Sequence, residues 1–222
     1  MGEKRMDNNM IYILFICMFV PLMISVPLVQ KSSRDIMVYI LIGIAAALFI
    51  AEVNGILLGV FKGDMYYVTT TVTPITEEVI KAIPVLFYVC MFSEPREKLL
   101  SVSFALGIGF AQFENAYILS LNGWGASVGW ALVRGFSTAM MHGICTAAVG
   151  YGMSYVRLRK KLAVPGTFSL LIMAIIYHGA FNIFVQDEKM KYFGFIMPTL
   201  TYIPFLVYLF RADRQKRASV DG

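Results

Sequence analysis

Seven long apolar runs leave this chain few ways to fold. They cover residues 11–29, 36–60, 73–92, 99–120, 128–156, 164–185 and 193–210, with short polar segments between them. A membrane-spanning helix needs about 20 predominantly apolar residues. The sequence therefore predicts an all-α fold, a polytopic membrane helix bundle of about seven transmembrane helices. Residues 1–222 are expected to form one integral-membrane domain, and the polar tail after Phe210 is expected to fray.

The composition excludes several other classes of protein. Of the 222 residues 58% are hydrophobic and 15% are charged, whereas soluble domains average about 45–50% and about 25%. Disorder, an ordinary cytosolic enzyme and a nucleic-acid-binding basic domain are thereby excluded. With seven spans, twelve Lys and Arg residues fall on one side and five on the other. The positive-inside rule then predicts a cytoplasmic C-terminus and an N-terminus outside.

Ionisable residues inside the apolar runs indicate a buried site. Such residues cost about 2.5–3.5 kcal/mol each at the bilayer centre, so they are rare and usually functional. The runs nevertheless contain Glu52, Glu77, Glu78, Lys81, Glu114, Arg134, His142 and His178. At 1.5 Å per residue, Glu114 and His178 lie about 22 and 21 Å from the inner ends of their runs. Glu77 and Glu78 lie in the first turns of their apolar run. Four helices are therefore expected to meet in one polar layer in the outer half of the membrane.

Each of these residues also has an ordinary structural explanation. Glu77 and Lys81 are spaced i,i+4 and could neutralise each other. His178 and Asn182 share that spacing and could join two helices by hydrogen bonds. Glu52 is interpreted as structural, and Arg134 as a counter-ion for the glutamates or an anchor at the interface. The site hypothesis is favoured because all the ordinary explanations would have to hold together, at similar depth, in one small bundle.

The residue types allow two hydrolytic mechanisms. Two histidines and a glutamate with one open position form a catalytic zinc set, and a second glutamate could then take the proton from water. Without metal, a desolvated glutamate paired with a histidine could activate water directly. A thiol mechanism through Cys145 and His142 is disfavoured, because Cys17, Cys90 and Cys145 have no paired spacing and are expected to be free thiols.

Four motifs in order resemble those of the PrsW family of intramembrane proteases. Glu77-Glu78-Val-Ile-Lys81 is similar to the family's EExxK motif, and Phe110-Ala-Gln-Phe-Glu114-Asn115 to FxxxEN. Arg134 followed by His142 resembles its Arg…His segment. His178-Gly-Ala-Phe-Asn182 resembles its last motif, in which an Asp is common at the position of Asn182. The resemblance covers residues 73–185, which form the motif-bearing core. The related CAAX-protease (Abi) superfamily typically has a His where this chain has Glu114, so PrsW is the better match.

The resemblance implies a multi-pass endopeptidase of the bacterial cell membrane that cuts membrane-anchored proteins. By the same resemblance, the substrate would be a membrane-anchored anti-sigma factor, and this protein would make the first cut, on the outer side of the membrane. The catalytic set is then Glu77, Glu78, Glu114, His142 and His178. Four of these are the predicted ligands of a Zn²⁺ ion, namely Glu78, Glu114, His142 and His178. Supporting roles fall to Lys81, Asn115, Arg134 and Asn182, with Arg134 balancing charge and Asn182 orienting the intermediate.

Two non-proteolytic functions also fit the pattern at this point. Intramembrane Glu and His residues form the relays of proton-coupled transporters, although the paired broken helices and inverted repeats of such proteins are not found in the sequence. A non-catalytic membrane scaffold or immunity protein would need none of the ionisable residues for chemistry.

Overall fold

The computed structural model describes residues 9–92, 95–121, 127–155 and 160–220. Four basic residues that enter the orientation count, Lys4, Arg5, Arg157 and Arg159, lie outside these ranges. Seven long helices account for most of the described residues, and no strand occurs among them. They are α1 (Asn9–Ser25), α2 (Lys31–Val60), α3 (Thr73–Met91), α4 (Arg96–Leu121), α5 (Val128–Met153), α6 (Lys160–Gln186) and α7 (Lys191–Val220).

The helices follow the predicted runs closely, with one clear error at the C-terminus. The prediction that the tail frays after Phe210 is wrong, because α7 continues to Val220. Residues 211–220 include Arg, Lys, Gln and Ala and contain neither Gly nor Pro, so nothing in their sequence stops a helix.

The all-helical fold is confirmed, whereas the number of membrane spans stays a prediction. Among the described residues, Ser33–Val60 in α2 and Lys161–Gln186 in α6 are long and apolar enough to cross a membrane. Large apolar side chains also face outwards, and Ile83, Leu132, Phe136 and Ile176 are each more than 60% exposed. Apolar surface of this kind is typical of contact with lipid or another protein.

Helix α4 lies at the centre of the bundle, between α2 and α5. A Cβ at Gly109 would collide with the backbone of Ile40 on α2, and a Cβ at Gly107 would collide with the backbone of His142 on α5. Only glycine lets the backbones approach so closely at these two points. The main apolar core surrounds this centre, with Leu106 and Met141 fully buried in it.

A π-helical segment precedes α3 and is held in place by α6. The chain reverses after α2 at Lys62 and Gly63, whose φ angles are 55° and 79°. A short helical turn (Met65–Tyr67) then leads into the π segment Val68–Val72, which runs directly into α3. Asn182 on α6 donates through Nδ2 to the carbonyl of Thr69 at 2.8 Å. Such π segments are rare and often lie next to functional sites.

Candidate active site and metal centre

The predicted site residues meet inside the bundle, although they come from four helices. Helix α3 contributes Glu77, Glu78 and Lys81, α4 contributes Glu114, α5 contributes His142, and α6 contributes His178. Both histidines, Glu78 and Lys81 are at most 2% exposed, and Glu77 is 4% exposed. The two imidazole rings lie edge to face with their centroids 4.9 Å apart. The structure thus joins residues that are up to 101 positions apart in the chain.

Each histidine is held by a carboxylate at one ring nitrogen. His142 Nε2 lies 2.7 Å from Glu114 Oε2, and His178 Nδ1 lies 2.9 Å from Glu78 Oε1. Because an ionised carboxylate only accepts hydrogen bonds, these two nitrogens carry the hydrogens. The other nitrogen of each ring is then a lone-pair donor. Carboxylates fix the tautomer and orientation of metal-binding histidines in the same way.

The two lone-pair nitrogens face the same oxygen of Glu77. Glu77 Oε2 lies 3.8 Å from His178 Nε2 and 4.0 Å from His142 Nδ1. This oxygen is buried and has no hydrogen-bond partner among the described residues. An unpaired carboxylate oxygen is costly in a buried place. Two nitrogens and one oxygen therefore converge, and the oxygen has no hydrogen-bond partner among the described residues.

This three-residue group fits a metal ion. One ligand atom from each of Glu77, His142 and His178 lies within 4.8 Å of the others. In a tetrahedral zinc site with bonds of about 2.0–2.2 Å, ligand atoms are about 3.4 Å apart. The distances of Glu77 Oε2 to the two nitrogens, 3.8 and 4.0 Å, would have to shorten by about 0.4 and 0.6 Å. Two His and one Glu with an open fourth position is the ligand set of catalytic zinc, and the group is able to bind Zn²⁺.

Lys81 lies next to this group and shares one of its ligand atoms. Its Nζ is 2.7 Å from Glu78 Oε1 and 2.8 Å from His142 Nδ1. It also lies 4.6 Å from the centre of the Phe110 ring. The ammonium therefore neutralises Glu78 and donates to the lone pair of His142. A metal ion that takes His142 Nδ1 would have to displace this contact, so the lysine and the metal compete for one nitrogen.

The group of ligand atoms that converges in the structure differs from the ligand set predicted from the sequence. The prediction counted Glu77 in the catalytic set and placed Glu78 and Glu114, but not Glu77, among the ligands. In the structure Glu78 and Glu114 bind the outer nitrogens of the rings, and the free oxygen that faces both inner nitrogens belongs to Glu77. Adjacent helical residues point about 100° apart, so the motif alone does not show which glutamate faces inwards.

The supporting residues occupy the edge of the site. An Nη atom of Arg134 lies 3.5 Å from Glu114 Oε1, and its Nε is buried without a hydrogen-bond partner among the described residues. Asn115 is buried, and its Oδ1 has no such partner either. Asn182, on α6, donates a hydrogen bond to the π segment instead. Glu52 lies apart from the site and accepts a hydrogen bond from Tyr12 at 2.9 Å.

Sequence analysis missed the backbone features that support these side chains. Gly107 lets α4 approach the backbone of His142, and Gly179 lies beside His178 where a Cβ would be 3.1 Å from the carbonyl of Thr70. The only signal in the sequence was a glycine directly after each histidine. Cys145 was correctly expected to be a free thiol, and its Sγ contacts the carbonyl of Ala174 at 3.7 Å.

A cavity of about 420 Å³ reaches the site from one end of the bundle. Glu77, Glu114 and Arg134 form its charged part, and most of the remaining wall is apolar. The wall includes Leu58 and Leu121, near or at the C-terminal ends of α2 and α4. Its volume is in the range of ordinary ligand pockets. A substrate entering the cavity would therefore meet Glu77 and Glu114.

Comparison with known proteins agrees with this chemistry. The model of the PrsW family, described as intramembrane metalloproteases, matches residues 32–209, which include all the site residues. Neither the curated proteins nor the solved structures yielded a match. The family match covers most of the chain and makes it a membrane protein and a peptidase rather than a transporter or scaffold. The chain belongs to the PrsW family of intramembrane metalloproteases.

Proposed function

We propose that this chain is a zinc-dependent endopeptidase that hydrolyses peptide bonds of membrane-anchored proteins. The observation that carries the proposal is the buried, unpaired Glu77 Oε2, which faces one lone-pair nitrogen of each histidine at 3.8 and 4.0 Å. A structural cluster of polar residues would be expected to satisfy its own hydrogen bonds. Atoms that serve as ligands of a cation would instead be left without protein partners.

The proposal assigns a role to each residue of the site. Glu77, His142 Nδ1 and His178 Nε2 hold the metal, and Glu78 and Glu114 hold the two rings. A zinc ion there supplies Lewis acidity, which polarises the scissile carbonyl and lowers the pKa of water. The glutamates at the site carry three negative charges against the two positive charges of Lys81 and Arg134, a balance that favours a cation.

Glu114 is the residue that we assign as the proton acceptor. It lines the cavity, and its side chain is 23% exposed, more than those of the other two site glutamates. Its Oε2 binds His142, whereas its Oε1 has, among the described residues, only the 3.5 Å contact with Arg134. A water molecule in the cavity can therefore reach Oε1. Arg134 then balances the charge of Glu114, and Asn182, which lines the same cavity, positions the substrate.

The position of the cavity supports cleavage near one membrane surface. The cavity wall includes residues at or near the C-terminal ends of α2, α4 and α6, so it lies towards that end of the bundle. With the C-terminus in the cytoplasm, as the charge count predicts, this end faces outwards. We therefore extend the proposal to a multi-pass protein of the bacterial cell membrane that makes the first, outer-side cut in a substrate such as an anti-sigma factor.

Purified protein reconstituted in lipid with a single-pass substrate tests the proposal. Wild-type protein should bind close to one zinc ion and cleave the substrate. Glu77→Gln should lose both properties, because a neutral amide replaces the charged ligand. Glu52→Gln is the matched control, since it also alters a glutamate within a predicted span but lies outside the site.

The possible outcomes separate the two mechanisms. Cleavage by Glu77→Gln at the wild-type rate would refute the assignment of this group. Cleavage by wild-type protein that contains no metal and is insensitive to chelators would refute only the zinc mechanism. In that case Glu77, with its free oxygen, would be the base that activates water.

A further inference from the structure

Part of the cavity wall is made of small residues of α2, beside Ile50, Asn54 and Leu58 of the same helix. Ala47, Ala51 and Gly55 lie at four-residue spacing on one face of α2, and all three line the cavity. A Cβ at Gly55 would meet no atom within 4 Å. The glycine is therefore not required for helix packing, in contrast to Gly43 on the same helix, whose Cβ would collide with α4. The space beside Gly55 is empty.

This row of small residues belongs to the same cavity as the unpaired carboxylate. Glu77, whose side chain is 5% exposed and whose Oε2 has no hydrogen-bond partner among the described residues, lines the cavity together with Gly55. A group that occupies the space beside Gly55 would therefore lie in one continuous volume with the reacting atoms. Apolar walls select apolar groups, because burying them removes apolar surface from water or from polar surroundings.

The size of the cavity restricts the form of its occupant. One turn of an α-helix with its side chains is about 10–12 Å wide and 5.4 Å long, or about 420–610 Å³. The cavity has about 420 Å³. It therefore accepts a few residues of a peptide, and not a complete transmembrane helix.

We propose that Ala47, Ala51 and Gly55 form the pocket that selects a large apolar side chain of the substrate next to the scissile bond. The occupant is a short apolar segment of a membrane-anchored protein. This inference rests on the proposed function, and it names the determinant of specificity at the same site. A larger residue on this wall should exclude Phe or Leu from the pocket while still admitting Ala.

Gly55→Leu and Gly59→Leu provide a closely matched test. Both glycines lie on α2, and a Cβ added at either would meet no atom within 4 Å, but Gly59 is outside the cavity wall. Neither change is expected to disturb the fold, because Leu is a better helix former than Gly. Ala51→Leu serves as a second variant, in case the leucine introduced in Gly55→Leu turns away from the cavity.

Peptide binding separates this inference from the proposed function. We would use labelled single-pass peptides with about 20 apolar residues and a central Gly-X-Gly segment, where X is Ala or Phe. Dissociation constants would be measured in the Glu77→Gln background, so that cleavage does not interfere. Gly55→Leu should weaken binding of the Phe peptide by about tenfold or more and leave the Ala peptide within about twofold. Gly59→Leu should change neither.

Two results would overturn the inference. One is that Gly55→Leu and Ala51→Leu each bind the Phe peptide and the Ala peptide as tightly as Gly59→Leu does. The other is the absence of binding to the Gly59→Leu protein. If the peptides bind in the expected pattern but the protein with Glu77 intact does not cleave them, the pocket assignment stands and the proposed proteolysis fails.

Discussion

Glu78 and Glu114 hold the two histidines by similar hydrogen bonds, yet their removal should have different consequences. Glu114 Oε2 lies 2.7 Å from His142 Nε2, in a side chain that is 23% exposed. Glu78 is fully buried, and its Oε1 binds both His178 at 2.9 Å and Lys81 at 2.7 Å. Besides its proposed role as proton acceptor, Glu114 therefore orients one ring, whereas Glu78 orients the other and also neutralises a buried ammonium.

The structure allows the two losses to be estimated. Removing a carboxylate that orients a metal-binding histidine typically lowers metal affinity 10–100-fold, which corresponds to about 1.4–2.7 kcal/mol. Glu114→Ala also removes the 3.5 Å contact with Arg134, but a partly exposed pair contributes only about 0–1 kcal/mol. Glu78→Ala leaves Lys81, which has no solvent exposure, without its carboxylate, at a cost of about 3–5 kcal/mol in stability.

Two measurements on purified protein in detergent test this contrast. Zinc affinity is measured by competition with a chromophoric chelator, and stability by thermal unfolding of the metal-free protein. Glu114→Ala should bind zinc about 10–100-fold more weakly and unfold near the wild-type temperature. Glu114→Gln should fall between, because the amide oxygen still accepts a hydrogen bond but carries no charge. Glu78→Ala should unfold at a clearly lower temperature.

Either of two results would refute this reasoning. Wild-type zinc affinity in Glu114→Ala would show that this carboxylate does not orient a ligand. Equal unfolding temperatures of Glu78→Ala and Glu114→Ala, both without metal, would show that Lys81 does not depend on Glu78. Glu52→Ala controls for the loss of a glutamate elsewhere in the bundle and should change neither quantity.

Three further predictions concern residues around the site. Gly107→Ala should lower stability by about 1–3 kcal/mol, measured by thermal unfolding, because its Cβ would collide with the backbone of α5. Gly129→Ala is the control and should not lower stability, because a Cβ at Gly129 would meet no atom within 4 Å. Asn182→Leu should reduce cleavage without lowering zinc affinity, because it removes the 2.8 Å hydrogen bond that holds the π segment. An equal loss of cleavage and of zinc affinity would contradict this prediction. Cys145→Ala should keep zinc affinity and cleavage, since its thiol contacts a backbone carbonyl and a methionine sulfur; loss of cleavage in a stable variant would reopen a thiol mechanism.

The helices and the identity of the site residues could be predicted from the sequence for a physical reason. Within a membrane each backbone polar group must be satisfied inside its own segment, so long apolar runs form helices. An ionisable residue in such a run stands out because it is costly there. Glu114 and His178 stand out for this reason, whatever the packing of their helices. The end of the last helix does not follow from the apolar pattern, because the polar segment after Phe210 is still a good helix former.

The roles of the glutamates depended on the tertiary structure. Glu77 and Glu78 are neighbours in one motif, and the rotation of α3 against α5 and α6 determines that Glu77 faces both histidines while Glu78 binds Lys81. The cavity beside Gly55 is likewise a result of helix packing, because its wall comes from the five helices α2 to α6 and the segment before α3. The pattern of polar and apolar residues along the chain determines which side chains enter the bundle. Only the packing of the helices determines which atoms face one another, since that depends on contacts between residues far apart in sequence.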